Sequence, residues 1–208
     1  MQNEVTSSPP FLEWGVAAQA LPGEATSGDR HVMQVFPSGA LVAVIDGLGH
    51  GEEAATAAEI AVTTLIDHAQ EPVITLLNRC HEELRGSRGV VMSMASFNAV
   101  EGTLTWSGVG NVEGMLRRAG GPANASDESL LLRGGIVGIQ LPPLSASIIP
   151  VTPGDTLIFV TDGITPGFPD KLNLQDPPQE LADRILAQHS KGTDDALVLI
   201  ARYGTPST

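Results

Sequence analysis

The sequence predicts an α+β fold in which two antiparallel β-sheets are covered by helices. Two observations carry this. Most apolar runs are short, bounded by Gly-, Pro- and Asn-bearing turns, and grouped away from the helical stretches. Helical periodicity occurs twice in succession near the middle and once more near the C-terminus. A doubly wound sheet would instead alternate strand and helix along the whole chain. No internal repeat or long linker divides the sequence, so residues 1–208 are expected to form a single domain.

Residues 11–20 alternate enough to open the fold as a strand, and the stretch from Leu21 to Asp29 reads as a loop. His31–Phe36 is a second strand, and Pro37-Ser38-Gly39 turns the chain into Ala40–Asp46, the first strongly apolar strand. Glu52 to His68 is an Ala-rich helix whose first-turn acids, Glu52 and Glu53, suit a positive N-terminus. Pro72 to Arg85 is a second helix, with Pro in the first turn and Gly86 as the stop. Val90–Val100, Thr103–Gly108 and Val112–Arg117 read as an antiparallel meander. Gly120–Ser129 is an exposed loop or hairpin tip, and Leu130–Leu132, Ser147–Val151 and Asp155–Thr161 are further strands. Residues 170–176 are irregular, and 167–176, rich in Pro and Gly beside Asp162, is the expected mobile element. Pro177–His189 is the last helix, Ala196–Tyr203 the closing strand, and Gly204–Thr208 a fraying tail.

One signal occurs three times. Val42–Ile45 runs into Asp46-Gly47, Leu157–Thr161 runs into Asp162-Gly163, and Asp194-Asp195 opens into Ala196–Ile200. If the third strand runs antiparallel to the other two, the acids meet at one edge of the fold. Clustered carboxylates repel, so such a site calls for a hard divalent cation and metal-assisted hydrolysis. Each Asp-Gly pair also reads as a plain hairpin turn. For Asp46 the following Gly47-Leu48-Gly49-His50-Gly51 and a helix, rather than a strand, weigh against that. One of Asp194 and Asp195 is expected to be a solvated loop residue.

A net charge of −13 argues against a phosphate-backbone partner and disfavours an anionic membrane surface. The first ten residues carry no secretory signal, and no apolar run approaches the length of a spanning helix, so a soluble cytoplasmic protein is expected. The single Cys80 precludes an internal disulfide and sits at helical spacing with Leu76, Leu77 and Leu84, as a packing residue would. One Cys and scattered His leave no zinc motif, and the Gly-rich segments match neither a dinucleotide fingerprint nor a nucleophile elbow. His31, His68, His81 and His189 read as surface or packing residues.

The segments Val44-Ile45-Asp46-Gly47-Leu48-Gly49-His50-Gly51, Phe159-Val160-Thr161-Asp162-Gly163-Ile164 and Gly192-Thr193-Asp194-Asp195-Ala196-Leu197-Val198 resemble the metal-dependent (type 2C) protein phosphatases. The resemblance is to the bacterial branch typified by the stage II sporulation phosphatase, and within it to small stressosome phosphatases of the RsbX type. Weaker matches are Ser27-Gly28-Asp29, Gly108-Val109-Gly110-Asn111 and Gly134-Gly135-Ile136-Val137-Gly138; together they span roughly residues 10 to 203.

The resemblance implies an αββα sandwich and a phosphoserine/phosphothreonine hydrolase. It implies two Mn²⁺ (or Mg²⁺) ions, with Asp46 bridging them, the Gly47 carbonyl on the second, Asp162 and Asp194 on the first, and Asp29 as an outer ligand. Asp194 is preferred over Asp195 because the first acid of the family's pair is the ligand. Water would attack phosphorus in line, without a covalent phosphoenzyme. His50 is either a general acid or a residue shaping the loop. Asn111 is either close to the site or a tight-turn residue in the left-handed conformation, and the turn is favoured. Arg30 does not align with the phosphate-clamping Arg of eukaryotic members, which the bacterial branch generally lacks. The implied substrates are phosphorylated STAS-domain stressosome proteins. The alternatives are a free anti-sigma factor antagonist as substrate, or a non-catalytic binding module.

Overall fold

A computed structural model describes residues 11–120, 127–168 and 172–205. The parts of the expected loop at 121–126, of the expected mobile stretch at 169–171, the first ten residues and the last three lie outside them. In chain order the elements are β1 (Leu12–Gln19), β2 (Asp29–Phe36), β3 (Gly39–Gly47), α1 (Glu52–Asp67), α2 (Val73–Glu83), β4 (Val90–Asn98), β5 (Thr103–Val109), β6 (Glu113–Arg117), β7 (Glu128–Ser129), β8 (Ser147–Pro150), β9 (Thr156–Val160), α3 (Pro178–His189) and β10 (Ala196–Tyr203). They form two antiparallel five-stranded sheets, ordered β1-β10-β9-β6-β7 and β2-β3-β4-β5-β8.

The near-continuous apolar strands follow from burial on both faces. In β3, Val42 and Val44 point into the core between the sheets, whereas Leu41, Ala43 and Ile45 pack under α1 and α2. In β10, Leu197 and Leu199 face the inter-sheet core, and Val198 and Ile200 pack with Leu181, Ala182 and Ile185 of α3. Period-two alternation thus sorts each strand into two cores, and the layers stack helix, sheet, sheet, helix. The small residues Ala54, Ala57, Ala58 and Ala61 bury one face of α1. Cys80 is fully buried on the inner face of α2 with Leu76 and Leu77, as a packing residue is, and burial pushes its thiol up to about 12.

The expected meander is corrected by the structure. β4 and β5 pair as read, but β6 leaves that sheet and pairs with β9 and β7 across the sandwich. Gly110, at φ +99°, makes the turn between β5 and β6, and β5 takes β8 as its outer neighbour. Pairing partners are long-range, so alternation identified the strands without identifying their sheet. The expected strand at Leu130–Leu132 is replaced by the short β7 just before it, with the Leu130 amide still donating to Gly114 O at 2.8 Å.

Phe159 is fully buried at the centre of the inter-sheet core. Phe159→Ala is expected to cost about 3–5 kcal/mol of stability. Urea unfolding would measure it as a lower midpoint at an unchanged slope.

Candidate active site

β9 and β10 run antiparallel, so the C-terminal end of β9, carrying Asp162, lies beside the N-terminal end of β10, carrying Asp194 and Asp195. In the other sheet Asp29 at the start of β2 stands directly opposite Asp46 near the end of β3. The acid-bearing ends of the two sheets face each other. Asp46, Asp162 and Asp194 line a common cleft of about 600 Å³, together with His50, Asn111 and Thr193. A larger groove, about 780 Å³, lies between α1 and α2 and contains none of these acids. Size alone does not mark the chemistry; convergent carboxylates do.

Thr161 ties the two sheets together beneath the cleft. Its hydroxyl donates to Asp29 Oδ2 at 2.8 Å and accepts the Leu197 amide at 2.8 Å. Asp195 is not a solvated residue: it is buried, and its two oxygens accept the amides of Leu21 at 2.7 Å and Gly28 at 2.6 Å. Both oxygens are engaged in holding the 21–28 loop against the site. Asp194 is exposed to the cleft and, among the described residues, accepts only the Asp195 amide through Oδ1, at 2.9 Å. The adjacent acids therefore differ in availability.

Neither Asp46-Gly47 nor Asp162-Gly163 is a left-handed hairpin turn, since neither glycine has positive φ. Both are sites of close approach. A Cβ on Gly47 would lie 2.2 Å from Ala54 O in α1, and one on Gly163 would lie 1.9 Å from Asp195 O. Glycine lets α1 and the 194–195 segment pack onto the strand ends.

Asn111 corrects a second expectation. No described non-glycine residue has positive φ, and Gly110 supplies the turn instead. This frees the Asn111 side chain, whose Nδ2 donates to Asp162 Oδ2 at 2.7 Å. His50 lies in the cleft wall, with Nδ1 at 2.7 Å from Glu24 Oε1, an arrangement that shapes the loop leading into α1. Away from the cleft, His31 packs on Trp14, His68 lies 3.6 Å from Glu71, His81 accepts the Gly138 amide, and His189 contacts Thr165 and Phe168.

Burial raises the Asp46 carboxyl to about 8, and repulsion from Asp29, Asp162, Asp194 and Asp195 adds to it. Burial likewise raises Asp29 to about 7, against the opposing Thr161 hydrogen bond. Among the described residues no three His, Cys, Asp or Glu side chains close on a single point. The acidic donors are all oxygen: carboxylates from both sheets and main-chain carbonyls, in a cleft with room for water, while the His50 ring in its wall is tied to Glu24. That set fits Mg²⁺ or Mn²⁺, which keep several waters and use few carboxylates, and does not fit zinc.

The Stage II sporulation protein E (SpoIIE) family model matches residues 37–204. The chain belongs to the SpoIIE family. Phosphoserine phosphatase RsbX of Bacillus subtilis (strain 168) is 24% identical over 182 residues, 86% of this chain and 89% of RsbX. A crystal structure of RsbX in complex with magnesium superposes with a TM-score of 0.84 at 20% identity, covering 95% of this chain and 98% of RsbX. A chain from a study of the bacterial stressosome, a modular system adapted to control secondary messenger signalling, is 30% identical with a TM-score of 0.84. That match covers 92% of this chain and 99% of the other. The fold is that of the type 2C protein phosphatases, and the family together with the likeness to RsbX supports protein serine/threonine phosphatase activity. Among the described residues, no helix is long and apolar enough to cross a membrane.

Sequence reading passed over the part played by Thr161, whose only signal was its place before Asp162. It also left Asp195 without a role, because two adjacent acids look alike until their partners are known.

Two expectations follow for the metal-free protein. Asp29 and Asp46 bind more protons folded than unfolded between the ordinary value of 3.8 and about 8, so stability falls as pH rises through that window. Thermal melts in chelator should show the decline, and Mn²⁺ should raise the melting temperature more at pH 8 than at pH 5. Asp195→Asn leaves a buried amide facing a donor and should cost about 1–3 kcal/mol in denaturant titration, whereas Asp194→Asn should cost little.

Proposed function

We propose that this domain is a metal-dependent phosphoprotein phosphatase whose substrates are phosphorylated STAS-domain regulatory proteins of a stressosome. Returning them to the dephosphorylated state would reset a bacterial stress signal in the cytoplasm. The observation that carries the catalytic part is the convergence of Asp46, Asp162 and Asp194 in one cleft, from opposite sheets of a type 2C sandwich. The substrate part rests on likeness to RsbX and to the stressosome chain.

In this reading Asp46, the Gly47 carbonyl, Asp162 and Asp194 would together hold two Mn²⁺ or Mg²⁺ ions. Asp29 acts as an outer partner. When bound, such ions supply Lewis-acid polarisation of the phosphoryl group and make water a nucleophile near neutral pH. The rest is the work of the chain. Thr161 holds the Asp29 carboxylate, and Asn111 fixes the orientation of Asp162. Asp195 seats the 21–28 loop. The half-burial of Asp46 limits competing solvation of its carboxylate. Ligand orientation by such partners commonly accounts for about 10–100-fold in affinity or activity.

Hydrolysis of an aryl phosphate and of phosphorylated STAS-domain proteins, with Mn²⁺ and with chelator, tests the reading. Turnover should require the metal and fall by at least about 10–100-fold in Asp46→Asn, with cooperative melting retained and no loss of melting temperature in chelator. Asp194→Asn should lose more turnover per folded molecule than Asp195→Asn. Full activity in chelator would refute the metal chemistry, and the reverse order would exchange the two acids. Failure on phosphoproteins alongside aryl phosphate turnover would leave the enzyme and remove the assigned substrates.

A further inference from the structure

The described cations are almost all committed to carboxylates. Arg30, Arg79, Arg85, Arg88, Arg117, Arg118, Arg184 and Arg202 each hold an Asp or Glu. Among the described residues two lack such a partner, Arg133 and Lys191. The Arg133 guanidinium donates through Nε to Ser145 Oγ at 3.1 Å. Lys191 is different in kind. It lies on the connection from α3 to β10, three residues before Asp194, and is exposed.

The position of Lys191 is set at two points. Its amide donates to Gly163 O at 2.8 Å, and its ammonium donates to the main-chain oxygen of Asp162. The ammonium thus lies against the main chain of Asp162, a residue that lines the cleft. An ammonium has three donors, and one is used. A cation held by the main chain of a cleft residue, and by none of the described acids, is suited to a transient anionic partner. A phosphate dianion entering a cleft of net negative charge requires such a group.

We propose that Lys191 is a substrate-binding residue that presents its ammonium to the phosphoryl oxygens of the substrate. This rests on the phosphatase reading of the same cleft. Lys191 compensates for the negative wall that phosphate must pass, and it opposes the binding of a divalent cation at the neighbouring acids. Its removal therefore has effects of opposite sign: anion binding weakens and cation binding strengthens. A residue that merely braced the Asp162 turn would weaken both.

The experiment compares wild type with Lys191→Ala and Lys191→Arg, using Arg85→Ala as a remote charge control. Three quantities are measured: aryl phosphate kinetics, inhibition by inorganic phosphate, and Mn²⁺ affinity by calorimetry. In Lys191→Ala the KM and the phosphate inhibition constant should rise about threefold to tenfold. Its Mn²⁺ dissociation constant should fall, and kcat and melting temperature should hold. Lys191→Arg should restore phosphate inhibition, and Arg85→Ala should change nothing. Unchanged phosphate inhibition in Lys191→Ala would overturn the assignment. So would weaker Mn²⁺ binding with a lower melting temperature, which marks a structural brace. Absence of Mn²⁺-dependent turnover in wild type would instead remove the phosphatase reading, while calorimetry still reports on the cation effect.

Discussion

Five carboxylates brought to one edge of a sandwich are the constraint that organises this molecule. Like charges at short range, partly removed from water, destabilise the fold that gathers them. The structure manages the conflict by giving the acids different environments. Asp195 is buried and fully hydrogen-bonded to main chain, and Asp29 is buried and held by Thr161. Asp194 is left to solvent, and Asp46 and Asp162 face the cleft. Thr161 has the central place because a single hydroxyl links β9, β10 and β2. The two sheets are joined by apolar packing along most of their length, and at the acid edge by that hydrogen-bond chain.

The same arrangement explains the supporting elements. The small residues of α1 allow close contact with Gly47, so the helix seals the end of β3 beside Asp46. The 194–195 segment packs equally closely on Gly163. A β-carbon at either glycine would push apart the strand ends that carry the acids. The glycines that follow the acids in sequence are therefore requirements of packing, and they bear on the chemistry by fixing where the carboxylates stand.

Recognition of substrate is the complementary problem. A chain of net charge −13 presents an unfavourable field to any phosphorylated partner, and nearly all of its described arginines are already paired. Local cations at the cleft margin and complementary groups on the protein partner then have to supply attraction. This places specificity in the surface around the cleft more than in a closed pocket for a small phosphate ester.

The α+β class and the strand-end acids at Asp46, Asp162 and Asp194 were legible in the chain. Burial on both faces writes itself as short continuous apolar runs, and a break in such a run exposes the residue that follows. Local chemistry also marked both central helices, with boundaries displaced by one or two residues. Tertiary structure alone decided the rest. The sheet that receives β6 depends on pairing across long sequence separations, which alternation does not encode. The roles of Asp194 and Asp195 depend on which of them meets the amides of Leu21 and Gly28, more than 160 residues away. Asn111 turned from a presumed turn residue into a partner of Asp162 because Gly110 absorbed the backbone strain. Sequence determines which residues are buried and where strands end; the folded chain decides which of them meet, because those contacts join residues that are neighbours only in space.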